Sequence, residues 1–342
     1  MRMAVVGAGS LGIVVGGLLA RAGRDVELVA PRRESADLLN REGAVLTGGI
    51  EAVIPVRAVT PDQMRGPYDF ALMLTKLDAL PGALAELAPH LRPQSLVCAL
   101  ENGMPEDMAA RAVGRERTCG GVVLIGAARK APNASHITSS QATLDTAFAI
   151  GELDGAATPR IAALRDVLAD VGGCRVAPDL LDLRWAKLLM NAAPGAMNAM
   201  LGCTNRQALA DDRSLALMVR AADETIRVAH AAGHRLALLQ GNDMEALIIP
   251  EGGRPEDRFE LCREYFMPWG DTRSSMQQDL AAGRRTEVRH LNGYVAARGR
   301  ELGVATPVND LIQRLVMEAE ARGRAPEYPA SLERALAELA AG

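Results

Sequence analysis

"MRMAVVGAGSLGIVVGGLLARAG", residues 1–23, decides the fold, and it admits two readings. A basic start, an uncharged run from Met3 to Ala20 and a small-x-small ending at Ala20-Arg21-Ala22 imitate a secretory signal peptide. Yet the run carries glycines at 7, 9, 12, 16 and 17, more than a membrane-inserting segment usually holds. Their spacing has a better explanation. "MAVV" reads as a short apolar strand, Gly7-x-Gly9-x-x-Gly12 as a turn, and "IVVGGLLARAG" as a helix that stops at Gly23. In such a turn Gly7 allows the tight bend, Gly9 the close approach of a pyrophosphate, and Gly12 the packing of helix on strand. The helix start, with Ser10 and Leu11 between the glycines, offers free N–H groups and a positive dipole end to phosphates.

Working outward, "DVELVA" is the next strand and runs into Pro31-Arg32-Arg33-Glu34. In NAD-binding proteins an acid about 20 positions beyond the fingerprint takes the ribose 2′-hydroxyl. Here that place holds Arg32, with Arg33 beside it. A guanidinium pairs with a 2′-phosphate, so the expected cofactor is NADPH. The competing reading is that both arginines merely solvate a loop. Two further apolar strands, "YDFALMLT" and "SLVCAL", end at Lys76 and at Glu101-Asn102-Gly103. Open α/β sheets bind ligands at the carboxyl ends of their strands, which makes Lys76 and Asn102 candidate contacts. A β-rich stretch from Thr118 to Gly155, a helix and the short strand "GCRVA" complete this half. The expected boundary lies at Pro178, giving an α/β dinucleotide-binding domain over 1–178 and an all-helical domain over 179–342.

The second half opens with "KLLMNAAPGAMNAM", residues 187–200. Lys187, Asn191 and Asn198 share one face of an α-helix. A lone ammonium on an apolar helix is costly unless partnered, although a lysine stem can cover apolar surface while its head reaches water. Pro194 removes a backbone N–H and frees the carbonyl of Met190, so a kink is expected beside the asparagines. Gly233 and Gly303 stand where helix-terminating glycines belong.

Composition sets limits. The chain has 342 residues, is 49% hydrophobic and 23% charged, and carries a net charge of −4. It can build an ordinary globular core and has no basic field for nucleic acid. Nothing in the pattern points to a membrane. Five dispersed cysteines, none in a CxxC, argue against a disulfide framework or a zinc site and suit a reducing cytoplasm. His230 and His234 are four apart, with no third metal ligand near them in the sequence.

In order and spacing the motifs resemble the ketopantoate reductase family over residues 1–320. They stand as "GAGSLG", "LTK" at Lys76, "ENG" at 101–103, "KLLMN" at 187–191, "SSMQQD" at 274–279, "RRTE" at 284–287 and "LNG" at 291–293. The resemblance implies a Rossmann domain followed by a helical domain, with the active site in the cleft between them. It implies reduction of a 2-oxo acid by NADPH, by default ketopantoate to pantoate in pantothenate biosynthesis. Lys187 then matches the general acid, and Glu287 the glutamate that bonds the forming hydroxyl. Asn102 and Asn191 match asparagines around substrate and nicotinamide, Ser275 and Asp279 a substrate-binding serine and aspartate, and Lys76 a lysine near both ligands. For Ser275 an N-cap of the following helix is the competing role. Three departures touch substrate recognition: Gly195 stands where the family carries a second asparagine, Glu101 replaces a glutamine, and the stretch 236–272 is longer and more irregular than the resemblance implies. Asn198, one turn on, is the candidate substitute. The alternatives are a relative acting on another 2-oxo or 2-hydroxy acid, an opine-type dehydrogenase, or a non-catalytic NADPH sensor. A homodimer is left open.

Overall fold

The computed structural model describes residues 1–341. The chain divides into two compact units, Met1–Leu180 and a second from Leu181 onward, so the boundary falls two residues beyond the expected Pro178.

The first unit is α/β. Its strands are β1 (Arg2–Val6), β2 (Asp25–Val29), β3 (Ala44–Gly48), β4 (Ala52–Ile54), β5 (Arg57–Val59) and β6 (Tyr68–Met73). They continue with β7 (Leu91–Ala99), β8 (Thr118–Val123), β9 (Ala127–Ala131), β10 (Ala134–Ile137), β11 (Phe148–Glu152) and β12 (Cys174–Val176). The helices between them are α1 (Ser10–Arg21), α2 (Arg33–Glu42), α3 (Leu80–Leu87), α4 (Glu106–Val113), α5 (Gln141–Leu144) and α6 (Pro159–Leu168). Eight strands form one sheet in the order β12-β11-β8-β7-β6-β1-β2-β5, parallel at every pairing except β11 with β8. The order reverses on either side of β1, as in doubly wound nucleotide-binding folds.

Burial on both faces explains why these strands read as continuous apolar runs. Met3 and Val5 of β1 join a core with α1 and α6, while Ala4 and Val6 join another with α3 and α4. The β-rich stretch does not enter one sheet as a block. β9 and β10 leave to form a second sheet with β3 and β4, in the order β4-β3-β10-β9.

Helix α1 packs between these two sheets, and residues 12–19 are buried all round. A Cβ on Gly16 would stand 2.6 Å from the side chain of Leu28, and one on Gly17 3.2 Å from Ala44. A helix with no polar face is what a two-sided core demands, and it is why this segment imitates a secretion signal.

The second unit holds helices α7 (Leu180–Met190, which begins one residue before the boundary), α8 (Ala196–Leu201), α9 (Asn205–Ala210), α10 (Asp212–Ala231) and α11 (Phe259–Phe266). They are followed by α12 (Ser275–Ala281), α13 (Asn292–Leu302), α14 (Pro307–Arg322) and α15 (Ala330–Ala341). It contains no strand among the described residues beyond an isolated bridge between Leu239 and Asn242. Gly303 directly after α13 and Gly233 one residue beyond the C-cap of α10 adopt φ of 71° and 86°, as their positions required. No helix among the described residues is long and apolar enough to cross a membrane.

Candidate active site

In the first unit the glycine turn has the geometry its spacing predicts. Gly7 has φ of 105°, and a Cβ there would lie 2.7 Å from the backbone of Leu74. A Cβ on Gly12 would fall 2.0 Å from the carbonyl oxygen of Gly7, so helix and turn touch backbone to backbone. Gly9 is different. A Cβ on it would meet nothing closer than 4.0 Å, which leaves open space above the turn. Gly9 N-caps α1 with no side-chain hydrogen bond, and the first turn holds no acidic residue. The N–H groups at the start of this helix thus meet no carboxylate from its own first turn, and a dinucleotide pyrophosphate fits them.

At the end of β2, Arg32 is exposed and makes no hydrogen bond or ion pair among the described residues. Arg33 lies 3.4 Å from Asp62 across exposed surface. At the ends of β6 and β7, the Glu101 carboxylate accepts from the N–H and the hydroxyl of Thr75, the latter at 2.9 Å. The acid that replaces the family's glutamine therefore ties the two strand ends together beside Lys76 and Asn102. Lys76 is exposed and Asn102 half-buried.

In the second unit the disturbance expected at Pro194 takes the form of a widened turn. Residues Asn191–Gly195 form a π-turn between α7 and α8, and the Ala196 N–H donates to the carbonyls of Ala193 and Asn191. Widening the turn absorbs the missing proline N–H without breaking the helix, a device frequent at functional sites. It also changes which residues share a face. One extra residue rotates everything beyond it by about 100°. Gly195 returns to the face of Lys187 and Asn191, whereas Asn198 leaves it.

Asn198, the expected substitute for the missing asparagine, keeps its Oδ1 buried without a donor. Asn198 is 3% exposed, and its Nδ2 lies 3.4 Å from Oδ1 of Asn205, whose own amide donates to the Phe266 carbonyl. A Cβ at Gly195 would meet only the Met190 carbonyl oxygen, at 3.5 Å, so that position is open.

Lys187 is half-buried and makes no hydrogen bond or ion pair among the described residues. Desolvation, with the buried guanidinium of Arg184 adding repulsion, pushes its pKa down to about 8. One turn along, Nδ2 of Asn191 is buried with no acceptor. Two donors without partners thus share one helix face.

Glu287 is 5% exposed and precedes a 3₁₀ turn at Val288–His290. Its neighbours hold the segment in place: the Thr286 N–H and hydroxyl both donate to Glu320 at 2.7 Å, and Arg289 pairs with the same carboxylate. Asp279 is buried and accepts from Arg284 at 3.0 Å. Ser275 is exposed and is not the N-cap of α12; that role belongs to Ser274, in a capping box with Gln277. The two histidines are engaged elsewhere: His230 bonds Glu245, and His234 bonds Asp182 at 2.8 Å. No cluster of metal-binding side chains occurs among the described residues.

One signal was in the sequence all along. Only three lysines, Lys76, Lys130 and Lys187, occur among 38 lysines and arginines. Arginine cannot titrate near neutrality, so a lysine in so arginine-rich a chain stands out where a titratable proton is useful.

A glycine turn at a helix start on a doubly wound sheet, joined in sequence to a helical unit with a desolvated lysine, is the architecture of two-domain dinucleotide-binding proteins. Comparison with known proteins narrows the class. Residues 3–153 match the model of ketopantoate reductase PanE/ApbA, and residues 179–320 match that of its C-terminal domain. The chain belongs to the ketopantoate reductase family. Among its relatives, the 2-dehydropantoate 2-reductase of Pyrococcus horikoshii is 26% identical over 94% of this chain and 99% of its own length. The PanE/ApbA family ketopantoate reductase from Ralstonia eutropha superposes with a TM-score of 0.79 at 25% identity, over 94% of this chain and 99% of that one. The ternary structure of D-mandelate dehydrogenase with NADH and anilino(oxo)acetate shares the fold, with a TM-score of 0.80 at 21% identity over 94% and 99% of the two chains.

Proposed function

We propose that the protein reduces a 2-oxo acid to the 2-hydroxy acid with NADPH, and that Lys187 is the general acid. The observation that carries this reading is Lys187 itself: a desolvated ammonium with pKa near 8, no carboxylate partner among the described residues, and the free amide donor of Asn191 beside it. An ammonium tuned close to working pH can donate at one moment and be reprotonated at the next, which a surface lysine does poorly. A bound nicotinamide supplies the hydride. The chain's own part is to hold the carbonyl oxygen against Lys187 Nζ, move that proton to it, and stabilise the new hydroxyl through Glu287. Asn191, Ser275 and Asp279 are the proposed substrate contacts, and Lys76 and Asn102 the proposed contacts nearest the cofactor. Gly7, Gly9, Ser10, Leu11 and Gly12 hold the pyrophosphate. Unpaired Arg32, where an acid would mark NAD, supports NADPH. The free cysteines suit a cytoplasmic location.

Ketopantoate is the default substrate, but Gly195 favours a second reading. With no side chain there, the hydroxyl of ketopantoate loses a partner unless Asn198 supplies one, at a cost of roughly 1–3 kcal/mol. A 2-oxo acid lacking that hydroxyl then competes well, in keeping with the likeness to a dehydrogenase of mandelate. The test is cofactor oxidation over a panel of 2-oxo acids, with ketopantoate beside 2-oxoisovalerate. Comparable kcat/KM values are expected. A preference for ketopantoate above about a hundredfold removes the second reading, and no turnover with any acid removes the first.

A further inference from the structure

The π-turn is held from outside the helix. In a continuous α-helix the Ala196 N–H would serve the carbonyl of Ala192; here it is shared between the carbonyls of Ala193 and Asn191. The Ala192 carbonyl instead accepts from Nδ2 of Asn292, at 2.9 Å, the first residue of α13. The second hydrogen of that amide goes to Oδ1 of Asn309 on α14, also at 2.9 Å. Asn309 in turn donates to the Ala221 carbonyl at 3.1 Å and to Glu224 at 2.7 Å, both on α10. Glu224 also accepts the Val308 and Asn309 N–H groups at 2.8 and 2.9 Å, at the start of α14.

All three side chains are buried, with Asn292 and Asn309 at 0% exposure. Burying three polar groups is costly unless each is bonded, and an apolar trio of the same volume would pack as well. One oxygen, Oδ1 of Asn292, is even left buried without a donor. The amide is thus oriented by its two acceptors, at the expense of its own carbonyl.

Position gives the arrangement its meaning. Asn292 lies five residues after Glu287, on the segment that carries it, and its amide grips the turn that carries Asn191 and Gly195. We propose that Asn292, held by Asn309 and Glu224, is a positioning residue: it maintains the π-turn and keeps the Lys187–Asn191 face in register with the Glu287 segment. This rests on the reading of Lys187 as the acid.

The test is Asn292→Ala in the full chain, with Asn309→Ser as the second variant should the first fail to fold. Expected is a fall in kcat of about 10- to 100-fold per cofactor-binding site, the size of a small misplacement of a catalytic group. The dissociation constant for NADPH stays within about twofold, because the phosphate turn lies in the other unit. Wild-type kcat and KM in a folded variant would overturn the proposal, as would a loss of activity explained entirely by fewer folded sites.

A second readout does not need the substrate. Three lysines make ¹³C-lysine NMR easy to assign, and the Lys187 resonance is expected to titrate near 8 in wild type and nearer the ordinary 10.5 in the variant. If the wild type reduces no 2-oxo acid, the proposed function fails, and the NMR titration alone decides: an unchanged Lys187 resonance overturns the positioning role.

Discussion

The glycine turn at residues 7–12 and the helix face at residues 187–195 are the two candidate ligand sites, and they are made of different material. The turn is backbone: its donors are helix N–H groups, and its shape follows from three residues without a Cβ. The face is side chain: an ammonium and an amide, set in register by a widened helical turn and a buried chain of amides from two other helices. A site made of backbone is specified locally and tolerates its surroundings. One made of side chains depends on what packs around it, because burial sets both the charge state and the direction of each group.

Removing the ammonium should separate the two sites most sharply. Lys187→Ala is expected to lower kcat by on the order of 10²–10⁴ while leaving the NADPH dissociation constant nearly unchanged. A variant with near wild-type kcat would return Lys187 to covering apolar surface.

The converse break is Gly12→Ala. The added methyl meets the Gly7 carbonyl at 2.0 Å, and relief requires the helix to move off the turn, at roughly 1–3 kcal/mol. The KM for cofactor should rise on the order of tenfold with a lowered Tm, while the KM for the acid changes little. Unaltered cofactor affinity would show that the turn does not hold the pyrophosphate.

A third measurement sharpens the comparison through pH, since only the side-chain site titrates. With Lys187 as the proposed acid, kcat/KM for reduction should be level below pH 8 and fall about tenfold per pH unit above it, while oxidation of the 2-hydroxy acid rises through the same pH. Stability follows with the opposite sense. Between 8 and 10.5 the unfolded chain holds a proton that the folded one has lost, so stability increases across that window in wild type and is flatter in Lys187→Met. A reduction profile with no break near 8 would remove the lysine as acid.

The smallest effect belongs to Arg32→Ala. An exposed guanidinium on a 2′-phosphate contributes about 1 kcal/mol, so the preference for NADPH over NADH should narrow by several-fold. Equal use of both cofactors by the wild type would refute the assignment.

Much of the first unit was legible because its signals are local. Strand, turn and helix stand consecutively in residues 1–23, and the strand ends that carry Lys76 and Asn102 close continuous apolar runs. The second sheet was not legible: β3 and β4 are short, and β3 pairs with β10, some 90 residues away. In the helical unit the sequence marked Lys187, Asn191 and Glu287, and Pro194 announced a disturbance. Whether that disturbance would be a kink or a π-turn depended on an outside donor for the Ala192 carbonyl, and Asn292 lies 100 residues further on. The face on which Asn198 falls was not legible either, since helical phase counted at 3.6 residues per turn fails where the turn widens.

By itself the sequence determined the glycine turn, the two-part order of sheet then helices, and the three lysines among which the proposed acid stands. Those features depend on nearest neighbours along the chain: the absence of a Cβ, the period of apolar residues, the presence of an ammonium. Tertiary structure decided which asparagine faces Lys187, that Ser274 rather than Ser275 caps α12, and that the lysine is desolvated to a pKa near 8. Phase, capping and desolvation are set by atoms that arrive from distant parts of the chain, and only folding brings them into contact.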